Sequence, residues 1–203
     1  MALSDKYKIL EFNEYGDERG NLVAIEGVKN FDTEKTYKNV MERYKYGGLT
    51  RPGLYLDETV MRMCYTHRNL MGMLAKNLLN EGKDEKALAV LQKCEKEIPY
   101  YNVPVNFRSG SFDMAETYAL LGKKEQALNI VGELWKNADQ YMKYYLSLSP
   151  NRFAQSHTDC MTQLYVMQRV IQITGLVDDK LADKMEEKLN VYYNAYAGRG
   201  GQM

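Results

Sequence analysis

The sequence contains few of the residues that interrupt regular structure or cross-link a chain. Only four of its 203 residues are proline: Pro52, Pro99, Pro104 and Pro150. Because proline is rarely tolerated inside a helix or a central strand, these positions are expected to mark connections between long regular segments. The three cysteines, an odd number, argue against a disulfide framework.

The chain also lacks an excess of charge of either sign. Lys and Arg together number 27, Asp and Glu together number 27, and the formal net charge is zero. The chain therefore lacks the excess of basic residues that is typical of nucleic-acid-binding proteins. It also lacks the polybasic run that would bind an anionic membrane surface. The apolar runs are too short to span a bilayer, and the N-terminus has no apolar core of a signal peptide. We therefore expect no nucleic-acid partner and no membrane span within this chain.

Apolar residues recur at intervals of three and four along most of the sequence, which is the spacing of amphipathic helices. After Pro52 one such stripe runs from Val60 to Leu78, with Asp57 placed as a cap and Gly82 as the terminator. The pattern predicts helices over about 33–46, 57–82, 84–97, 111–121, 124–145, 153–175 and 178–196. Residues 198–203 are expected to be a flexible tail.

The first thirty residues have a different pattern. The apolar runs YKILEF and NLVAI flank the polar segment EYGDERG, which favours a small β-hairpin within residues 1–31. The expected fold is therefore all-α over residues 32–197, with a possible β-hairpin as an N-terminal extension.

Small residues recur at a fixed offset of 40 positions in the middle of the chain. The paired residues are Ala75 and Ala115, Gly82 and Gly122, and Ala87 and Ala127. They resemble the small residues and turn glycine of the tetratricopeptide repeat, a helix–turn–helix unit with a usual period of about 34 residues. The resemblance implies an antiparallel array of helix hairpins, with units at about 57–99 and 108–146 and capping helices at 153–196. The segment PYYNVPVNFRSG is then an inserted loop.

A narrower resemblance covers residues 33–140. Its motifs are YGG at 46–48, YLDE at 55–58, MRM at 61–63 and RN at 68–69. They resemble the C-terminal soluble region of a bacterial family of large multi-pass membrane proteins of uncharacterised function, whose membrane half is similar to GT-C-type protein O-mannosyltransferases. The resemblance implies a tail on the periplasmic face of an inner membrane, with the missing membrane half as one partner. It carries over no catalytic residues.

The tetratricopeptide resemblance also implies a binding surface. In that family the first helix of each unit lines a concave face that holds extended peptides. The positions that correspond here are Asn69, Lys76, Asn80, Phe112 and Glu116. The inserted loop adds a possible aromatic rim, formed by Tyr100, Tyr101, Asn102, Phe107 and Arg108. The alternative is that the flanking helices of the protein itself fill this groove.

The two histidines each have a cysteine three positions away. Cys64 precedes His67, and His157 precedes Cys160. Residues at this spacing share a helix face, so a Cys₂His₂ zinc site or a thiol nucleophile requires the two helices to be neighbours. The simpler alternative is that all four residues belong to the helical core, since this spacing is not that of common zinc modules.

The leading hypothesis is a non-enzymatic domain that binds a protein or peptide, with no cofactor, as the soluble tail of a glycosyltransferase-like membrane protein. The competing hypothesis is a small metal-dependent or thiol-dependent enzyme that uses the two Cys/His pairs. A third is a free-standing cytoplasmic adaptor.

Overall fold

The computed structural model describes residues 31–200. This part of the chain is entirely helical, with eight α-helices, one π-helical turn and no strand, which confirms the all-α prediction. No helix within it is long and apolar enough to cross a membrane. The predicted β-hairpin lies outside the described residues except for Phe31, and the last three residues of the predicted tail lie outside them as well.

The helices follow one another with short connections. They are α1 (Thr33–Lys38), a π-helical turn (Asn39–Arg43), α2 (Glu58–Asn80), α3 (Asp84–Glu97), α4 (Ser111–Leu120), α5 (Lys124–Ser147), α6 (Pro150–Gln155), α7 (His157–Gly175) and α8 (Asp179–Gly198). The helix expected over 153–175 is broken at Ser156. The Ser156 hydroxyl donates to the carbonyl of Phe153 at 2.9 Å, which offers the backbone an alternative to continued helix.

Aspartates fix the starts of three helices. The Oδ1 atom of Asp57 accepts a hydrogen bond from the amide of Val60 at 2.9 Å, which is the predicted cap. Asp32 caps α1 in the same way, and Asp178 caps α8. Each cap satisfies an amide that has no partner inside its helix and places negative charge at the positive end of the helix dipole.

The α2–α3 and α4–α5 connections have the same geometry, 40 residues apart. Gly82 and Gly122 both have a φ of +71°, a left-handed conformation that only glycine adopts at little cost. The amide of Lys83 then donates to Leu78 O at 2.9 Å, and the amide of Lys123 donates to Tyr118 O at 2.8 Å. Each turn therefore reverses the chain within four residues of the preceding helix.

The helices pack in order along the chain. α2 contacts both α3 and α4, α4 contacts α5, α5 contacts α7, and α7 contacts α8. The repeated alanines are fully buried, and they are Ala75, Ala87, Ala115 and Ala127. Small side chains allow the backbones to approach closely, as at Gly72, where an added Cβ would lie 3.0 Å from Gly110 O. This close packing brings the inserted loop against α2.

The last helix is held to α5 by a carboxylate with little exposure. Asp139 accepts hydrogen bonds from Lys188 Nζ at 2.5 Å and Tyr192 Oη at 2.7 Å, both from α8, and from Lys143 Nζ at 2.7 Å. Burial by itself raises the pKa of Asp139, but the hydrogen bonds from these three side chains outweigh it and lower the pKa to about 2. The charged form of Asp139 therefore stabilises the packing of α8.

We predict an acid-sensitive contribution to stability from Asp139. Because its pKa is lower in the folded than in the unfolded chain, the contribution is complete above about pH 4 and is lost as the pH falls towards 2. Asp139→Asn should lower the melting temperature at pH 7 by roughly 3–10 °C. It should also make the fall in melting temperature between pH 4 and 2 smaller than in the wild type. Asp183→Asn, at an exposed position on α8, is the control. Identical pH profiles of both variants and wild type would contradict this role.

Candidate functional site

A buried arginine on α2 organises the inserted loop. Arg68 is 0% exposed, and its two Nη atoms donate hydrogen bonds to three carbonyls in or next to the loop, while its Nε atom has no partner within residues 31–200. The Nη2 atom lies 2.9 Å from Ile98 O and 2.6 Å from Val103 O, and Nη1 lies 3.1 Å from Pro104 O. The planar donor array of arginine suits such divergent acceptors. The loop is therefore fixed against the middle of α2.

Tyr100 covers the same guanidinium and does not line the rim of a groove, contrary to the prediction. Its ring centroid lies 4.9 Å from the Arg68 guanidinium carbon, and its hydroxyl lies 3.5 Å from Glu95 Oε1. Burial raises the pKa of Glu95, although the Tyr118 and Tyr100 hydroxyls and the charge of Arg68 oppose that rise. Tyr100 thus belongs to a buried polar cluster between α2, α3 and the loop.

Tyr101 and Asn102 hold a second loop instead of facing an open groove. The Asn102 amide donates to Leu49 O and Arg51 O, both at 2.6 Å, and the Tyr101 hydroxyl donates to Thr50 O at 2.7 Å. Tyr101 remains 63% exposed, but its hydroxyl already has a partner. These contacts fix the turn that precedes α2.

Asn69 also has a partner within the protein. Its Nδ2 atom donates to Arg108 O at 3.0 Å, at the end of the inserted loop. Two residues later, Gly110 has a φ of +70°, and an added Cβ there would lie only 2.7 Å from the Cα of Asn69. Any other residue at position 110 would force the loop away from α2.

The predicted concave residues Lys76, Phe112 and Glu116 lie together, but they contact one another and α7. Lys76 Nζ lies 3.1 Å from Asp113 Oδ1 and 3.0 Å from Glu116 Oε2. Burial lowers the pKa of Lys76, but its hydrogen bonds to Glu116 and Asp113 outweigh this and raise it. Arg169 of α7 lies 3.5 Å from the same Glu116 oxygen, with its guanidinium carbon 6.0 Å from the Phe112 ring centroid. These charges are paired within the protein.

The predicted groove is therefore partly occupied by α7, as in the alternative considered from the sequence. Asn80 does not join this cluster, because it is exposed at the last position of α2 and makes no side-chain hydrogen bond within residues 31–200. The mapping of peptide-binding positions by motif alone therefore does not show which side chains remain available to a ligand.

The two Cys/His pairs do not converge, so the Cys₂His₂ hypothesis is wrong for this arrangement. Within residues 31–200 no three His, Cys, Asp or Glu side chains are grouped closely enough to hold a metal ion. His67 packs edge-on against the rings of Tyr44 and Tyr46. His157 instead packs against Phe153 and Tyr196, whose hydroxyl lies 3.1 Å from its Nδ1 atom.

The cysteines have the environment of core residues. Cys64, Cys94 and Cys160 are all buried and reduced. Burial raises the pKa of each thiol, to about 12 for Cys94. A thiol nucleophile requires the opposite shift, because the thiolate is the reactive form. The thiol-enzyme hypothesis has no activated group among these three residues.

A different surface concavity forms between the inserted loop, α5 and α7, with one side chain from α2. We refer to this space, of about 420 Å³, as the α5–α7 cleft. Its aromatic lining residues are Tyr65, Phe107, Tyr141 and Tyr145. Its polar lining residues are Asn106, Arg108, Asn137, Asp159, Thr162 and Gln163. The exposed lining is thus more polar than apolar, and the volume of the cleft lies within the range of ligand-binding clefts.

Gln163 is the most informative residue of the α5–α7 cleft. It is 8% exposed, and its side-chain amide makes no hydrogen bond within the described part of the chain. A glutamine amide offers two donor hydrogens and an acceptor oxygen. Within residues 31–200 the buried side-chain atoms without a partner are Arg68 Nε and Tyr118 Oη, so the amide atoms of Gln163 still reach solvent. The amide therefore lines the cleft as a group that a bound molecule can satisfy.

Tyrosines form one wall of the α5–α7 cleft. The rings of Tyr141 and Tyr145 are stacked, with centroids 6.0 Å apart and an interplanar angle of 19°. Burial, followed by the charge of Asp159, raises the pKa of Tyr145, and burial likewise raises that of Tyr65. These hydroxyls are therefore neutral at physiological pH and available as hydrogen-bond donors. The wall combines flat apolar faces with polar tips.

The charged residues of the cleft are of opposite sign. The Arg108 guanidinium carbon lies 5.2 Å from the ring centroid of Phe107, and Asp159 lies on the first turn of α7. Both side chains are exposed, and neither makes an ion pair within residues 31–200. The cleft therefore does not select strongly for an anion or a cation.

The comparisons with known proteins add no relative, since no protein-family model, no curated protein and no solved structure matches this chain. The candidate site is therefore defined by its geometry.

We predict that Arg68 is essential for stability, because its loss leaves three carbonyls, two of them in buried hydrogen bonds and one in a part-buried one, without these donors. Arg68→Leu should lower the free energy of unfolding by about 3 kcal/mol or more. The control is Arg62→Leu on the same helix, which removes only the exposed ion pair with Glu58 and should change stability little. Urea unfolding monitored by circular dichroism measures both. Equal midpoints for the two variants would refute the role assigned to Arg68.

Proposed function

We propose that this chain is a non-enzymatic interaction domain that binds an extended peptide segment of a partner protein in the α5–α7 cleft. The observation that carries the proposal is a cleft with a tyrosine wall, into which Gln163 presents a solvent-accessible amide that makes no hydrogen bond to the protein within residues 31–200. The ionic cluster around Lys76, which the sequence favoured as the binding surface, is satisfied within the protein and is a weaker candidate.

A peptide fits the chemistry of the cleft better than a small charged ligand does. Every residue of an extended peptide presents one amide donor and one carbonyl acceptor, which the side-chain amides of Gln163 and Asn137 can pair with. The rings of Tyr141 and Tyr145 offer flat surfaces for apolar side chains at a low cost in conformational entropy. Because the charged lining residues are of opposite sign, the affinity for a peptide comes mainly from packing against the tyrosine rings and from hydrogen bonds.

The proposal extends to the architecture. We assign the helix hairpins α2–α3 and α4–α5 to two tetratricopeptide-like units, with α6–α8 as a cap. Three features support this assignment: the equivalent glycine turns, the buried alanines at an offset of 40 and the sequential packing of the helices. In such arrays the concave side, lined by the first helix of each unit, is the usual place for peptides. The α5–α7 cleft lies instead beside the inserted loop, at the junction of the second unit with the cap.

We further propose that the domain is the soluble tail of a glycosyltransferase-like membrane protein, on the periplasmic face of an inner membrane. The YGG and YLDE motifs support this, and the membrane half of the same protein is then one source of the bound segment. The coding sequence upstream should contain many hydrophobic spans in the same reading frame. Their absence would favour the alternative, a free-standing cytoplasmic adaptor.

We predict that peptides selected from a random library on the intact chain bind through the cleft. Tyr141→Ala and Gln163→Leu should each weaken their binding about tenfold or more, measured by isothermal titration calorimetry. Matched controls on α7 are Tyr165→Ala and Gln168→Leu, which lie outside the cleft and should leave binding unchanged. Gln163→Leu should change the melting temperature little, because the amide makes no hydrogen bond to the protein within residues 31–200 that the substitution could remove.

Two outcomes would overturn the peptide-binding proposal. The first is that no peptide binds saturably. The second is that Lys76→Glu abolishes binding while both cleft variants retain wild-type affinity, which would return the site to the surface originally expected from the motif positions.

A further inference from the structure

A second cleft, separate from the α5–α7 cleft, lies between the first half of α2 and the loop that precedes it. Its volume is about 340 Å³, and we refer to it as the α2 entry cleft. The residues that form its apolar wall are Tyr46, Leu49, Leu54, Leu56, Val60 and Met63. Cys64 and Ile98, both buried, also line it. The volume is at the lower end of the range for small-molecule sites.

The polar side chains of the α2 entry cleft are all basic. Lys45, Arg51 and His67 line it, and none of its described lining residues is acidic. Within residues 31–200, Lys45 and Arg51 make no ion pair, and the His67 ring makes no hydrogen bond. The cleft thus combines an apolar wall with two cationic side chains that have no counter-ion there.

The walls of this cleft are fixed by other contacts. The Asn102 amide binds the carbonyls of Leu49 and Arg51, so the turn that carries the basic residues is held in place. The rings of Tyr44 and Tyr46 contact His67 edge-on, with centroids 6.2 Å and 5.6 Å from its ring. A cleft held in this way needs little reorganisation to accept a ligand.

We propose that the α2 entry cleft binds a medium-chain aliphatic carboxylate. The alkyl chain would contact the apolar wall, and the carboxylate would accept charge-assisted hydrogen bonds from Lys45 and Arg51 at the mouth. Burial of the chain supplies affinity, and the absence of acidic lining residues selects an anionic head group over a cationic one. This inference is independent of the peptide-binding proposal, since the two clefts share no lining residue.

The test uses decanoate as the probe, with decyltrimethylammonium as a ligand of equal chain length and opposite charge. Isothermal titration calorimetry on the intact chain, below the micellar concentration of each probe, should show saturable binding of decanoate at one site. Decyltrimethylammonium should bind at least tenfold more weakly. Decanol distinguishes the contribution of the chain from that of the head group and should have intermediate affinity.

Two variants test the location of the site. The double substitution Lys45→Glu and Arg51→Glu should weaken decanoate binding about tenfold or more while leaving decanol binding unchanged. The matched control is Lys184→Glu with Arg152→Glu, two exposed residues that line neither cleft, and it should bind decanoate as wild type does.

The apolar wall has its own test. Val60→Trp should weaken decanoate and decanol binding equally, because the larger side chain would occupy part of the cleft, and the position is 37% exposed. The proposal is overturned if decanoate does not bind saturably, if decyltrimethylammonium binds equally well, or if the Lys45/Arg51 variant matches the Lys184/Arg152 control. Peptides selected for the α5–α7 cleft should still bind the Lys45/Arg51 variant. The carboxylate proposal can therefore fail without the peptide-binding proposal failing.

Discussion

The hydrogen bonds of Arg68 are the interaction on which the rest of this structure depends. A guanidinium with no exposure is costly unless its donors are paired. Here the carbonyls of Ile98, Val103 and Pro104 pair both Nη atoms, while Nε has no partner within residues 31–200. The same hydrogen bonds provide donors for backbone carbonyls of the loop. Without the arginine, the loop would carry unpaired carbonyls against the middle of α2, and its Pro99–Gly110 path would have no fixed position.

The loop that Arg68 holds lines one cleft and supports the other. Its residues 104–108 form one wall of the α5–α7 cleft, and Ile98, just before the loop, lines the α2 entry cleft. Asn102, between them, fixes the turn that carries Arg51. The connection between α3 and α4 therefore forms a wall of one cleft and fixes the turn beside the other. A shorter connection would keep the hairpins but remove this wall.

Local signals in the sequence predicted the helices well. The Asp57 cap, the Gly82 turn and the spaced apolar residues each act within a few positions, so they can be read without the fold. Arg68 could not be identified in this way, because an arginine inside a helix is normally solvated. Tyr100 was assigned to a rim for the same reason: only the fold shows that its ring covers a guanidinium. Gln163 lies far along the chain from the loop it faces, and no local pattern predicts that proximity.

The central claim is that a partner peptide occupies the α5–α7 cleft and not the ionic cluster around Lys76. Hydrogen–deuterium exchange with and without a selected peptide tests it most directly, because it locates the bound segment without any substitution. A peptide in the cleft should slow amide exchange in residues 104–108, 134–145 and 159–166. Protection confined to residues 69–80 and 112–116, with none at the cleft, would contradict it.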